Sequence, residues 1–211
     1  MKEYKLPIGC DVPETIILAD GDFPSHPLAL EWLRQCPYVV CCDGAANTYI
    51  RSGRMPEAIV GDGDSLLPDI KERYASLIHS ETEQETNDLS KAFRFCLSQE
   101  RKRITIMGAT GKREDHTIGN VSLLADYMEQ AEVSMMTDYG IFVPIREDSM
   151  FESYIGQQIS VFNMNSTVLS AEGLAYPLSV FTNWWQGTLN EALARHFIIR
   201  TEGKVLVFRV F

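Results

Sequence analysis

The stretch from Ile104 to His116 places a loop of small residues, two basic residues and two acidic residues directly after a short apolar run. The apolar run predicts a buried strand, and Gly108 and Gly111 let the backbone amides of the loop approach a ligand because glycine lacks a Cβ atom. Such a loop suits a phosphate group. It is not a Walker A loop, because its glycines are too close together and Arg113 stands where a serine or threonine should hold magnesium.

Two upstream segments carry acidic side chains at the ends of apolar runs. Asp43–Asn47 follows the run Tyr38–Cys42, and Gly61–Ser65 follows the run Ala58–Val60. In a parallel α/β sheet the carboxyl ends of the strands share one edge, and ligands bind there where the strand order reverses. We therefore expect the three segments to converge on one site.

The carboxylates of Asp62 and Asp64 are two residues apart, so they share a face of an extended backbone, and the flanking glycines let the chain turn both towards one ion. Hard cations such as Mg²⁺ bind carboxylate oxygens together with substrate phosphates, and three acid-bearing strand ends offer that arrangement. Taken alone, the same residues are also typical of a polar surface turn.

A fourth acidic segment, Glu83–Lys91, leads into an apolar pattern with helical spacing. Its Asp88 lies at the predicted helix start and is a candidate for the acidic cluster. The alternative is that Asn87 and Asp88 only cap the helix and that Lys91 is a solvated residue of its first turn.

Composition narrows the class of protein. With 211 residues, 45% of them hydrophobic, the chain can bury a full core, and its net charge of -10 argues against nucleic-acid binding. An apolar run of about 18 residues is absent, and the first five residues lack the core of a secretory signal, so we expect a cytoplasmic protein that binds no membrane. Reduced and mostly buried thiols are expected for the cysteines, which are Cys10, Cys36, Cys41, Cys42 and Cys96.

The order of elements changes once along the chain. Up to Asp138, strands alternate with helical patterns, as in βαβ units; beyond it, strand-like runs replace the helical spacing, and a turn at Glu202–Gly203 predicts a terminal hairpin. The predicted fold class is α/β plus β. An N-terminal Rossmann-like parallel sheet with helices occupies residues 1–138, and a C-terminal antiparallel β-sandwich-like domain occupies residues 139–211.

Four motifs, in this order, resemble those of the thiamine pyrophosphokinase family. The family typically carries Asp-Gly-Gly-Ala-Asn, Gly-Asp-Phe-Asp-Ser, an acidic stretch ending in Thr-Asp and followed by Lys, and Gly-Ala-Thr-Gly-Gly-Arg-x-Asp-His. The corresponding segments are Asp43–Asn47, Gly61–Ser65, Gln84–Asp88 with Lys91, and Gly108–His116, and Gly173–Leu178 resembles the family's β-domain signature. The chain departs from the pattern at Ala45, Gly63, Asn87 and Lys112, and none of these changes removes a carboxylate.

The resemblance implies transfer of the diphosphate of ATP to the hydroxyl of thiamine, giving thiamine diphosphate and AMP, with Mg²⁺ as cofactor. The implied catalytic residues are Asp43, Asp62, Asp64, Asp88 and Asp115, and the metal ligands among them are Asp62, Asp64 and Asp88. The residues implied to bind ATP and its phosphates are Asn47, Ser65, Lys91, Gly108, Thr110, Gly111, Arg113 and His116. Those implied to bind thiamine are Gln84, Tyr176, Thr188 and Asn190.

Several of these roles have structural alternatives. Asp115 either accepts the proton of the alcohol or caps the following helix, and Asn47 either contacts the nucleotide or packs at a helix end. His116 either orients a phosphate or is a satisfied first-turn histidine. Lys112 is expected to stay solvated.

The family's Ser-Asn-Glu-aromatic element, near its thiamine pocket, is similar to Thr188–Ala192, which ends in alanine. Trp184, Trp185 or Tyr176 could supply the missing ring. Adjacent tryptophans in a strand point to opposite faces, so at most one of the two would face the pocket; alternatively, one packs in the core and the other at a subunit interface.

The resemblance also implies a homodimer whose active site includes the β part of the partner subunit.

Two other functional classes use the same acid cluster. One is a Mg²⁺-dependent phosphohydrolase or a different nucleotide transferase, and the other is a nucleotide-binding regulatory protein without turnover.

Overall fold

The computed structural model describes residues 1–7 and 12–211. The helices are α1 (Pro27–Gln35), α2 (Ala45–Arg51), α3 (Pro68–Arg73), α4 (Asp88–Ser98) and α5 (Glu114–Tyr127). The strands are β1 (Lys2–Tyr4), β2 (Thr15–Leu18), β3 (Val39–Cys42), β4 (Ala58–Gly61), β5 (Ile78–Ser80), β6 (Arg103–Met107), β7 (Glu132–Met136), β8 (Gly140–Ile145), β9 (Ser149–Glu152), β10 (Gln158–Asn163), β11 (Leu169–Glu172), β12 (Asn190–Glu191), β13 (His196–Thr201) and β14 (Val205–Val210).

The larger sheet is mixed and has ten strands in the order β12-β10-β14-β8-β7-β6-β2-β3-β4-β5. Strands β7, β6, β2, β3, β4 and β5 pair in parallel, as the alternating pattern predicts. From the central β2 the chain proceeds to β3, β4 and β5 on one side, and it then crosses to β6 and β7 on the other. The strand order therefore reverses between β2 and β6, which is where open α/β sheets bind ligands.

Helices cover both faces of the parallel strands. Strands β2, β3 and β4 are buried along their whole length, as expected for strands enclosed on two sides. One face packs against α4 and α5 through Phe93, Cys96 and Leu124, and the other packs against α1, α2 and α3 through side chains that include Leu33 and Tyr49. This packing holds the loops at the carboxyl ends of the strands in fixed positions.

The C-terminal part of the chain is antiparallel and rich in strands. Strands β8, β14, β10 and β12 continue the large sheet, while β9, β13 and β11 form a second sheet with β1. Buried side chains of both sheets, including Val161, Phe151, Phe197 and Val207, form one cluster. The N-terminal strand β1 pairs in parallel with β9, so the start of the chain joins the C-terminal sheet.

The predicted terminal hairpin is wrong. Strand β13 pairs with β9 and β11, whereas β14 pairs with β8 and β10 in the other sheet. Both strands direct apolar side chains, such as Ile199 and Val205, into the cluster between the sheets. The turn at Glu202–Gly203 therefore connects two layers rather than two paired neighbours.

The cysteines and membrane-spanning segments are also the subject of predictions. Cys36, Cys41, Cys42 and Cys96 are free thiols, of which the last three are buried, as predicted; Cys10 lies outside the described residues. Within the described ranges, the helices are too short or too polar for any of them to cross a bilayer.

Candidate active site

A cleft of about 430 Å³ lies at the carboxyl ends of the parallel strands. Its walls come from the loops after β2, β3, β4 and β6 and from the starts of α4 and α5. The lining residues are Ala19, Asp20, Gly21, Cys42, Asp43, Gly44, Asp62, Asp64, Ser65, Gln84, Thr86, Asn87, Asp88, Leu89, Lys91, Ala109, Gly111, Lys112, Arg113, His116 and Asn120. The four acidic segments singled out in the sequence thus meet at this edge.

Three carboxylates form the closest group in the cleft. Asp43, Asp62 and Asp64 each offer an oxygen atom, and these atoms lie within 4.8 Å of one another. Ser65 donates its backbone N–H to Oδ2 of Asp43 at 3.1 Å and its hydroxyl to Oδ1 of Asp64 at 3.0 Å, which orients both acids. Carboxylate oxygens at this spacing are suited to a hard divalent cation.

Asp43 is the most constrained of the three acids. Its side chain is buried, its backbone φ of 33° lies in the left-handed region, and no described residue offers a hydrogen bond to its Oδ1. Burial, together with the nearby carboxylates, raises the pKa of Asp43 to about 6. A buried oxygen without a partner carries a desolvation cost that a bound cation would offset.

Asp88 lies beside this trio but has a different partner. It is the first residue of α4, whose N-cap is Asn87, and it accepts a hydrogen bond of 3.0 Å from the ammonium group of Lys91. A Cβ atom on Gly61 would lie 2.8 Å from Cβ of Asp43 and 3.4 Å from Cγ of Asp88, so the absence of a side chain at Gly61 lets these two acids approach.

Sequence reasoning missed Asp20 and Gly21, which lie on the loop after β2. Gly21 donates its N–H to the carbonyl oxygen of Gly108 at 2.6 Å, and Asp22 donates to that of Thr110 at 2.9 Å. These bonds join the loop after β2 to the loop after β6 across the reversal in strand order. The available signal was the position of Asp20 just beyond an apolar strand, where the other strand-end acids also lie.

The two predicted phosphate-loop residues Gly108 and Thr110 do not line the cleft, and their carbonyl groups accept hydrogen bonds from the loop after β2; Gly111 does line it. Lys112, expected to stay solvated, donates to the carbonyl oxygen of Asp20 at 2.8 Å and to its Oδ1 at 3.0 Å. About half of the Lys112 side chain remains exposed.

Arg113 and Asp115 form an exposed ion pair at the start of α5. Nε of Arg113 donates to Oδ1 of Asp115 at 3.0 Å, and this hydrogen bond is the main cause that lowers the pKa of Asp115. Arg113 and the exposed His116 line the cleft, whereas Asp115 does not.

Asn47 and Gln84 occupy different environments. The side chain of Asn47 donates to the carbonyl oxygen of Ser65 at 2.8 Å and accepts from the N–H of Leu67 at 3.0 Å, so it braces α2 against the next loop and does not line the cleft. Gln84 lines the cleft, and its Nε2 lies 3.4 Å from Oδ2 of Asp62.

The other candidates for thiamine binding lie in the C-terminal part of the chain. The side chain of Asn190 exchanges hydrogen bonds with the backbone of Tyr176, at 2.8 and 3.0 Å, and Thr188 donates its hydroxyl to the carbonyl oxygen of Trp185. The tyrosine ring itself is exposed. All the lining residues that the structure places around the cleft precede Val121, so these three do not reach it within one chain.

The two adjacent tryptophans lie in a short 3₁₀ turn, Trp184–Gly187, rather than in a strand as expected. Trp184 makes an edge contact with Phe162 at a centroid distance of 6.1 Å, and Trp185 is 73% exposed, so neither ring is a core residue. Ala192 is fully buried and bridges to Leu174. The aromatic ring that the family has at this position would therefore have to be supplied by another residue.

A parallel sheet whose reversal point carries a glycine-containing loop and clustered carboxylates places the chain among the open α/β proteins, which bind ligands at the carboxyl edge of the sheet. Residues 29–136 match the family model described as thiamin pyrophosphokinase, catalytic domain, and residues 140–208 match the one described as thiamin pyrophosphokinase, substrate-binding domain. The chain belongs to the thiamin pyrophosphokinase family.

Named relatives agree with this assignment. Thiamine pyrophosphokinase 1 of Oryza sativa subsp. japonica is 30% identical in an alignment of 129 positions that covers 49% of this chain and 49% of the rice protein, so the chain spans about half the length of that relative. Thiamin pyrophosphokinase 1 of Caenorhabditis elegans is 26% identical over 190 residues, covering 82% of this chain and 74% of the relative. The solved thiamin pyrophosphokinase from Candida albicans has the same fold, with a TM-score of 0.81 at 18% identity over 100% of this chain and 93% of that one.

Proposed function

We propose that this protein is an ATP-dependent thiamine pyrophosphokinase. It transfers the diphosphate of ATP to the hydroxyl of thiamine and releases thiamine diphosphate and AMP. The observation that carries the proposal is the group formed by Asp43, Asp62 and Asp64 in a cleft that also holds Lys91 and Arg113. Carboxylates for a metal ion and cations for phosphate oxygens are the two sets of groups that a polyphosphate transfer needs.

The residues present fit a Mg²⁺ cofactor. Asp43, whose buried Oδ1 lacks a partner among the described residues, lies close to two further carboxylates, and an all-oxygen donor set is the one Mg²⁺ prefers. Asp62 and Asp64 would hold the ion as the sequence predicts, and Asp43 would be a third ligand. Asp88 lies next to Asp43, on the other side of Gly61. When bound, the ion neutralises charge on the transferred phosphates.

The remaining residues position the substrates. Lys91 and Arg113 supply positive charge for the phosphate oxygens, and Arg113 can bind two oxygens at once. The hydroxyl of thiamine attacks the β-phosphorus as the bond from that atom to the bridging α,β-oxygen breaks, and the hydroxyl proton is released. Asp115 is a poor acceptor for that proton, because its hydrogen bond with Arg113 lowers its pKa, and we assign it the role of orienting Arg113 at the helix start.

We assign residues 1–138, apart from strand β1, which joins the C-terminal sheet, to the nucleotide-binding catalytic part, of Rossmann-like form, and residues 139–211 to a β-sandwich-like part that contributes to thiamine binding. The boundary agrees with the two matched segments, which end at 136 and begin at 140. We further propose a homodimer in which the exposed rings of Tyr176 and Trp185 in one subunit complete the cleft of the other, while Trp184 packs against Phe162. The cytoplasmic location predicted from the sequence stays a prediction.

Incubation of the purified protein with ATP, Mg²⁺ and thiamine tests the activity. AMP and thiamine diphosphate should appear in equal amounts, and neither should form when thiamine is left out. Release of ADP or phosphate without thiamine would instead identify a phosphohydrolase, and nucleotide binding without turnover would identify a regulatory protein. Sedimentation at low concentration checks the dimer, because a fully active monomer excludes a shared site.

A further inference from the structure

Lys112 occupies a backbone conformation that suits glycine. Its φ is 54°, in the left-handed region that costs a residue with a side chain roughly 1 kcal/mol. The family motif quoted above has glycine at this position, so this chain carries an ammonium group where the pattern offers none.

The ammonium group of Lys112 is held at the cleft by Asp20. Nζ of Lys112 lies 2.8 Å from the backbone oxygen of Asp20 and 3.0 Å from its Oδ1, and both residues line the cleft. The other carboxylate oxygen of Asp20 points towards the turn after Asp43, since a Cβ atom on Gly44 would lie 2.7 Å from Oδ2 of Asp20. Through Asp20, Lys112 is therefore held close to the turn that follows Asp43.

The three cations that line the cleft differ in their freedom to move. Lys91 is buried against Asp88, and Arg113 is paired with Asp115 on its own helix turn. Lys112 and Asp20 are each about half exposed. A half-exposed pair contributes at most about 1 kcal/mol, so phosphate oxygens with several negative charges can displace the Asp20 carboxylate at little cost. The flexible stem of a lysine allows that exchange without backbone movement.

We propose that Lys112 is a phosphate-binding residue of this chain, which exchanges its contact with the side chain of Asp20 for an oxygen of the nucleoside triphosphate. The proposal rests on the proposed function, because it requires the cleft to take ATP. It assigns to Lys112 the affinity for the polyphosphate end of the substrate and no part in recognising thiamine.

Calorimetric titration with a Mg²⁺-loaded, non-hydrolysable ATP analogue tests the assignment. Lys112→Met and Lys112→Gly should each weaken binding of the analogue about tenfold, the loss expected from one charge-assisted hydrogen bond. Lys112→Arg should keep most of the affinity. In turnover, the KM for ATP should rise while the KM for thiamine stays unchanged.

Lys102→Met is the matched control. Lys102 is an exposed lysine just before β6, at the opposite end of the strand that leads to Lys112, so its removal changes the net charge equally without touching the cleft. This variant should bind the analogue like the wild type. Thermal unfolding supplies a second control, because Lys112→Gly removes a strained φ and should not lower the unfolding temperature.

Two results overturn the assignment, and they are distinguishable. If the wild type binds the analogue and the Met and Gly variants bind it equally well, Lys112 only fastens two loops, and the proposed function is unaffected. If the wild type binds no Mg²⁺-nucleotide at all, both the proposed function and this role of Lys112 are wrong.

Discussion

The ammonium group of Lys91 is buried and lies 3.0 Å from Oδ1 of Asp88. Burial alone would lower the pKa of Lys91, but the hydrogen bond and charge of Asp88 outweigh it, and the pKa is raised. The two residues are one helical turn apart on α4, and both line the cleft. The ammonium group of Lys91 therefore stays charged next to the three-carboxylate group.

Substitutions at Asp88 and Lys91 should separate the contribution of this pair to stability from its contribution to activity, and Asp88→Asn is the first of them. The change leaves a buried ammonium group facing a neutral amide, so the free energy of unfolding should fall by about 1–3 kcal/mol, and turnover should be lost as well. Urea denaturation measures the first effect. The double variant Asp88→Asn with Lys91→Met should regain much of the stability without regaining activity, and an unchanged urea midpoint in the single variant would contradict the role given to the pair.

The roles of Asp62 and Asp115 can be compared directly by substitution. Asp62→Asn removes a carboxylate from the proposed metal site and should lower kcat about a hundredfold, which corresponds to about 3 kcal/mol of lost charge stabilisation. Asp115→Asn should cost less than about tenfold, below the usual contribution of a general base. Steady-state assays with saturating ATP and thiamine measure both. A drop of about a thousandfold for Asp115→Asn would restore the carboxylate as the proton acceptor.

The contact between the loops after β2 and β6 leaves no room at Gly21. A Cβ atom there would lie 2.4 Å from the carbonyl oxygens of both Gly108 and Thr110, which are backbone atoms that cannot move aside. Gly21→Ala should therefore destabilise the protein by about 1–3 kcal/mol and weaken nucleotide binding. Scanning calorimetry measures the stability.

Gly119→Ala is the matched control for that substitution. Gly119 lies within α5, and a Cβ atom there would meet nothing within 4 Å. Since alanine is favoured over glycine inside a helix, this variant should be more stable by about 1 kcal/mol. Equal unfolding temperatures for the Gly21 and Gly119 variants would mean that the two loops are not held together.

The acidic cluster was predictable because strand ends are recognisable in the sequence. Asp43, Asp62 and Asp64 each follow a short apolar run, and parallel strands bring such positions to one edge. The same reasoning extends to Asp20, whose loop lacks a family motif that would draw attention to it. The partner of Lys91 and the partner of Lys112 were not predictable in the same way, since they depend on side-chain directions at the ends of helices and loops.

The C-terminal part was less predictable than the parallel sheet. The runs that become β13 and β14 were found, but a tight turn between two strands is compatible both with a hairpin and with a step from one sheet to another. Only the pairing partners, which are distant in sequence, decide between them. The 3₁₀ turn at Trp184 was likewise hidden, because two adjacent aromatic residues are also typical of a strand.

The exposure of Trp184 and Trp185 leads to different expectations for the two rings. Trp185 is 73% exposed, whereas Trp184 is 43% exposed and packs its ring against Phe162. If the proposed homodimer places Trp185 over thiamine, Trp185→Ala should raise the KM for thiamine by roughly twofold to thirtyfold, the range for a cation–π contact of about 0.5–2 kcal/mol, without changing stability.

Trp184→Ala should instead lower the unfolding temperature, because it removes the edge contact with Phe162, and this difference distinguishes a packing ring from a binding ring. Steady-state kinetics with varied thiamine and thermal unfolding, both run on each variant, measure the two effects. A normal KM for thiamine in Trp185→Ala, together with a raised KM in Tyr176→Ala, would transfer the stacking role to Tyr176, whose ring is also exposed and whose backbone is fixed by Asn190.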